Sequence, residues 1–180
     1  MSTPKPPQPA KLIVSVFMKQ KDLFEAVFAA LEDLAGPVDL VSQWMDFDFT
    51  DYYTKEMGRP LFRRLIAFKP LIEQDALAGI KHQTNALEAT FCDENRLQIN
   101  MDPGYLLGSR FILATGKEYS HRIYIGQNIY ADLTLMYTKE GFKFLEWTYP
   151  DYKDPKILQF LEQVRRKYLL DLKAIKRSMV

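Results

Sequence analysis

The chain has 180 residues, 47% hydrophobic and 26% charged, the composition of one folded domain, because a single core stays efficient up to about 250 residues. Lys+Arg 24 against Asp+Glu 23 leaves a formal charge of +1, so the basic excess with which a duplex-DNA binder meets phosphates is missing. The one cysteine, Cys92, forms no internal disulfide and no thiolate zinc cage, and is expected to be a buried structural thiol in a reducing compartment, the cytoplasm.

No apolar run approaches the roughly 18 residues of a membrane span, so no membrane partner is expected. The opening MSTPKPPQPA holds four prolines and no apolar segment; it reads as a short disordered arm over 1–10, not a signal peptide, ahead of a single α+β domain over 11–180. A β-branched apolar run predicts a strand over 11–18. Asp22 and Glu25 resemble a capping box, and Leu23, Phe24, Val27, Phe28, Leu31 and Leu34 then recur at helical spacing until Gly36-Pro37. Strands are expected over 38–49 and 61–68, the second closed by Pro70.

The next helix shows Leu77, Ile80, Thr84, Leu87 and Phe91 on one stripe and Lys81, Asn85 and Glu88 on a polar stripe beside it. Residues 96–101 alternate as a strand should. The order strand-helix-strand-strand-helix-strand is that of the split βαβ, ferredoxin-like sheet. Strands over 111–115, 122–125, 130–137 and 142–147, separated by short glycine-bearing turns, extend it as an antiparallel meander. A long C-terminal helix follows, capped by Asp154, with Pro155 at its first position and Ile157, Leu161, Val164, Tyr168, Leu172 and Ile175 on its buried face.

Known chemistries are mostly excluded. Gly116-Lys117 is followed by Glu118, and neither G-x-x-x-x-G-K-[ST] nor G-x-G-x-x-G occurs, so there is no P-loop. Two histidines, His82 and His121, and one cysteine allow no histidine- or thiolate-rich metal site. Mg²⁺ or Mn²⁺ needs only one or two carboxylates, for which Asp102, Asp132 and Glu56 are available, but no metal site is assigned. Cys92 lies beside Phe91 and neither histidine has a serine partner, which argues against a hydrolase triad.

What remains is a concentration of polar residues in loops. Asn100-Met-Asp-Pro-Gly-Tyr105 reads as a turn at a strand end, with Pro103 presetting φ and Gly104 tolerating positive φ. Its plain role is architectural: Asp102 caps the turn and Tyr105 packs on the core. The segment from Thr115 to Arg122 gathers Lys117, His121 and Arg122, which suits a phosphate or carboxylate, or is a solvated hairpin. Tyr52 and Tyr53, close to Glu56 and Gly58, either clamp a ring or seal a core edge. Trp147 to Tyr152 is expected to seal the core. Arg165, Arg166, Lys167, Lys173, Lys176 and Arg177 make the last helix basic, a solvated face unless Tyr124 and Tyr130 are exposed for RNA.

The series Tyr53-x-x-Glu56-Met57-Gly58, Thr84-Asn85-x-x-Glu88, Asn100-x-Asp102-Pro103-Gly104-Tyr105, Ala114-Thr115-x-Lys117, His121-Arg122-Ile123-Tyr124 and Trp147-Thr148-Tyr149-Pro150-Asp151-Tyr152 resembles a bacterial family of domains of unknown function. Its members have similar length and often carry the label "GTP-binding protein". That label conflicts with the residues, since an N-K-x-D guanine-reading motif is missing as well as the P-loop. The motifs fall on the segments already marked as polar, and Tyr53, Asn85, Glu88, Asn100 and Tyr105 are expected among the ligand-binding residues.

The leading expectation is one polar cleft for a small anionic, nucleotide-like ligand. Lys117 and Arg122 hold the anion, His121 moves a proton, and Asp102 or Glu56 supplies a carboxylate. Whether a reaction follows is open, and no cofactor is indicated. The alternatives are an RNA-binding module and a non-catalytic protein-interaction domain.

Overall fold

In the computed structural model, residues 3–47, 57–92 and 96–178 are described. Strand β1 (Ala10–Met18) is buried at every position, as a central strand must be. Its Leu12, Val14, Val16 and Met18 face one core, and Ile13 faces another on the opposite side of the sheet. β1 pairs antiparallel with β4 (Phe62–Ile72) on one side and β5 (Ile99–Leu106) on the other. β2 (Val38–Val41) and β3 (Met45–Asp46) lie outside β4. Helix α1 (Phe24–Ala35) joins β1 to β2, and α2 (Leu77–Thr90) joins β4 to β5. The order β2-β4-β1-β5 is that of the split βαβ sheet.

Four more strands widen it to nine. β6 (Arg110–Thr115) pairs with β5, and β8 (Tyr130–Thr138) pairs with β6. A strict meander would seat β7 (Arg122–Tyr124) against β6. Instead β8 lies between them, and β7 and β9 (Gly141–Phe144) share its outer edge. Val27 and Leu31 of α1 and Ile80 of α2 cover one face. The 24-residue α3 (Pro155–Ser178) covers the other with Ile157, Phe160, Leu161 and Val164. Asp154 caps α3 by accepting from Lys156 N at 2.7 Å. The Pro9 carbonyl, just ahead of β1, accepts from the Tyr168 hydroxyl at 2.8 Å.

Several local expectations change. Asp22 makes no capping bond; a short 3₁₀ turn, Lys21–Leu23, leads into α1 instead. The expected strand over 38–49 is broken, because Ser42 Oγ takes the Leu65 N–H at 2.9 Å in place of a ladder carbonyl. β4 does not stop at Pro70. Its pairing with β2 ends at Phe68, and its register with β1 shifts between Lys11 and Ile13, so Pro70 falls where its missing N–H is not needed. Cys92 is exposed.

The largest change concerns residues 100–105, which form no turn but lie inside β5. Pro103 faces Val14 of β1 and has no N–H to offer toward β6. Gly104 is required by close approach: a Cβ there would sit 2.3 Å from the Ile112 carbonyl oxygen.

Candidate functional site

Pairing between β5 and β6 runs only from Leu106 opposite Phe111 to Gly104 opposite Leu113. Beyond Gly104 the two strands part and the sheet opens. Met101, whose peptide group would otherwise bond to a neighbouring strand, is served by α2. Its N–H donates to Glu88 Oε1, and its carbonyl accepts from Lys81 Nζ at 2.9 Å. Lys81 and Glu88, seven residues apart, project from one side of the helix. Of the expected polar stripe, Lys81 and Glu88 are turned inward and buried, and Asn85 between them is exposed.

Lys81 Nζ also lies 3.2 Å from Asp102 Oδ1, and Asn100 Nδ2 donates to Asp102 Oδ2 at 2.9 Å. Burial pushes the Glu88 carboxyl up to about 7, against the pull of Lys81 and the Met101 N–H and with a further push from Asp102.

The opening continues into a cleft of about 760 Å³. Phe17, Asn100, Asp102, Leu113 and Thr115 come from the sheet, Gly116, Lys117 and Tyr119 from the loop after β6, and Tyr149 to Tyr152 from the segment before α3. On the far wall Asp132, 1% exposed, receives Arg122 Nε at 2.9 Å. Arg122 Nη1 donates to the Lys117 carbonyl at 2.8 Å and Nη2 to the Tyr149 hydroxyl. Burial, with Asp132 adding to it, raises the Tyr149 phenol above its ordinary range despite Arg122.

A third ion pair closes the near wall, where Arg63 Nη1 donates to Asp151 Oδ2 and Nε to Ser15 Oγ at 2.9 Å. Each lining carboxylate therefore has a cation: Asp102 has Lys81, Asp132 has Arg122 and Asp151 has Arg63. Lys117 adds one more positive charge to the lining.

Of the expected site residues, the structure brings Asn100, Asp102, Lys117 and Arg122 into the cleft wall. His121 sits behind Arg122. Its Nε2 is 3.3 Å from Asp132 Oδ2 and its ring stacks on Trp147 at 4.8 Å. Glu88 supports the opening from beneath. Asn85 is exposed on α2. Tyr105 turns to the opposite face, where its hydroxyl reaches Gln74 Oε1 at 3.3 Å. Tyr52, Tyr53 and Glu56 lie outside the described residues.

Sequence reasoning passed over Lys81, Asp151, Phe17 and Arg63. Lys81 left a signal in the stripe shared with Glu88, and Asp151 in the series Trp147 to Tyr152. The segment 147–152 does both jobs: Tyr152 packs on Phe111 at 5.6 Å and seals the core, and it joins Tyr149 and Asp151 in lining the cleft. Among the described residues no group of three His, Cys, Asp or Glu is placed to hold a metal ion, and no helix is long and apolar enough to cross a membrane. Three of the seven basic side chains of α3 have partners within the chain. Arg165 Nε donates to the Gly108 carbonyl at 2.8 Å, Arg166 pairs with Glu162 and Lys167 with Asp171.

These features define an antiparallel α+β protein whose sheet parts to form a polar, aromatic-walled cleft. Residues 8–168 match the model of the family described as Domain of unknown function (DUF4416), and the chain belongs to that family. No curated protein and no solved structure matches it.

Proposed function

We propose that the cleft binds a small anionic, nucleotide-like molecule. The observation that carries this is the joint presence of rings and cations around about 760 Å³, a volume within the usual range of small-molecule sites. Lys117 and Arg122 offer the anion its partners, with Arg122 held in place by Asp132 and Tyr149. Phe17, Phe47, Tyr119 and Tyr149 offer faces to a ring. Asp132 and His121 are engaged in holding this wall, so the cleft is read as a binding site first and no reaction is assigned.

Calorimetric titration of the full chain with pyrophosphate tests the anion end. Lys117→Ala should weaken binding about tenfold, the scale of one charge-assisted contact. Unchanged affinity in that variant, or no binding to the native chain, overturns the reading. A second reading, single-stranded RNA on the sheet edge, draws on Tyr124, which is 57% exposed and in edge contact with Tyr130 at 5.4 Å. Retardation of an oligoribonucleotide at low salt, lost in Tyr124→Ala, would support it; no retardation removes it.

A further inference from the structure

Two buried donors beside the cleft make no well-formed hydrogen bond among the described residues: Arg63 Nη2, and the Tyr152 hydroxyl, whose polar neighbour is the Ser15 side chain. The side chains are 1% and 3% exposed. They form one corner, with Arg63 Cζ 4.3 Å from the Tyr152 ring centroid and 4.9 Å from that of Phe17. Phe17, Asp151 and Tyr152 are themselves part of the cleft wall. The register places Arg63 and Asn100 on either side of Phe17 in one cross-strand row, so the corner continues the cleft floor across one strand. A buried donor left without an acceptor is destabilising, and here two such donors lie side by side.

The charge of the corner restricts what it can accept. Asp151 already balances Arg63, and the neighbouring Asp102 is balanced by Lys81. The corner is thus neutral overall and bounded by rings, which suits an uncharged acceptor better than a second anion.

We infer that the Phe17–Tyr152 end of the cleft takes a planar, uncharged ring bearing a carbonyl oxygen, which accepts from Arg63 Nη2 and the Tyr152 hydroxyl. A shift of the Phe17 or Tyr152 ring, both part of the cleft wall and both in contact with the Arg63 guanidinium, admits the oxygen. The anionic part of the same molecule reaches Lys117 and Arg122. This rests on the cleft being a ligand site, as proposed above. A buried water bridging the two donors is the competing occupant, and it would not discriminate between ring substituents.

The test is calorimetric titration of the full chain with inosine monophosphate, adenosine monophosphate and pyrophosphate. The two nucleotides share sugar and phosphate but differ along one ring edge, a carbonyl beside a protonated ring nitrogen against an amino group beside an unprotonated one. The expected result is at least about tenfold tighter binding of inosine monophosphate. Tyr152→Phe should remove at least two-thirds of that preference and leave pyrophosphate binding unchanged. Its melting temperature should stay close to that of the native chain, because the hydroxyl makes no well-formed bond there. Equal affinities, no binding of either nucleotide, or a preference intact in Tyr152→Phe would overturn the inference. If pyrophosphate still binds in those cases, only the ring corner fails; if it does not, the anion end fails too.

Discussion

Glu88 shows how a single side chain ties stability to pH. Its carboxyl rises from 4.5 to about 7, chiefly through burial. The folded state therefore holds a proton that the unfolded chain has already released over this window. The contribution is fully present below about 4.5 and is lost as pH rises through about 7. Glu88→Gln keeps an oxygen for the Met101 N–H and removes the charge. In urea unfolding at pH 5 and pH 8, the native chain should lose about 1–3 kcal/mol relative to the variant. Parallel pH dependences would show that burial is not what shifts this carboxyl. The helical spacing of Lys81 and Glu88 was visible in the sequence. Their inward orientation was not, because it depends on where β5 passes beneath them.

At the scale of elements, periodicity and punctuation revealed most of the order. Alternation marked the strands, three-and-four spacing marked the helices, and Gly36-Pro37 ended α1 where the structure ends it, with Gly36 at φ 84°. The failures came where local signals have two uses. Pro103-Gly104 carries turn chemistry, yet here the proline ends a ladder and the glycine admits a crossing backbone. Only the position of β6, fixed by residues 110–115, decides between them. Gly104→Ala would place a Cβ 2.3 Å from the Ile112 oxygen and 3.0 Å from Leu113 Cδ2. A loss of about 1–3 kcal/mol or more is expected in chemical denaturation; a loss under about 0.5 kcal/mol, the size of a neutral surface change, would mean that β6 yields easily.

Across the whole molecule, Lys11 joins parts distant in sequence. It is fully buried, and Nζ meets Asp39 Oδ2 at 2.9 Å and Asp171 Oδ2 at 2.8 Å, binding β1 to β2 and α3. Burial works to raise the Asp171 carboxyl, but hydrogen bonds from Lys11 and Lys167 hold it below its ordinary value. Its contribution is thus present above the unfolded value of 3.8 and lost as pH falls through the lower folded value. Lys11→Met leaves buried carboxylates short of a cation and should cost about 3–5 kcal/mol in unfolding experiments. A loss below about 1 kcal/mol would show that Lys167 alone suffices. The cleft itself was half legible. The loop after β6 announced Lys117 and Arg122, but the opposite wall comes from residues as far apart as Phe17 and Tyr152, and nothing in either neighbourhood marks them as partners.

The Met101 peptide group, bonded to a helix instead of a strand, has a further consequence. Lys81 and Glu88 fix the border of the cleft at Met101 from outside the sheet. The turn at 107–109, which is not part of the lining, could grow or shrink in other sequences of this architecture while that border keeps its place.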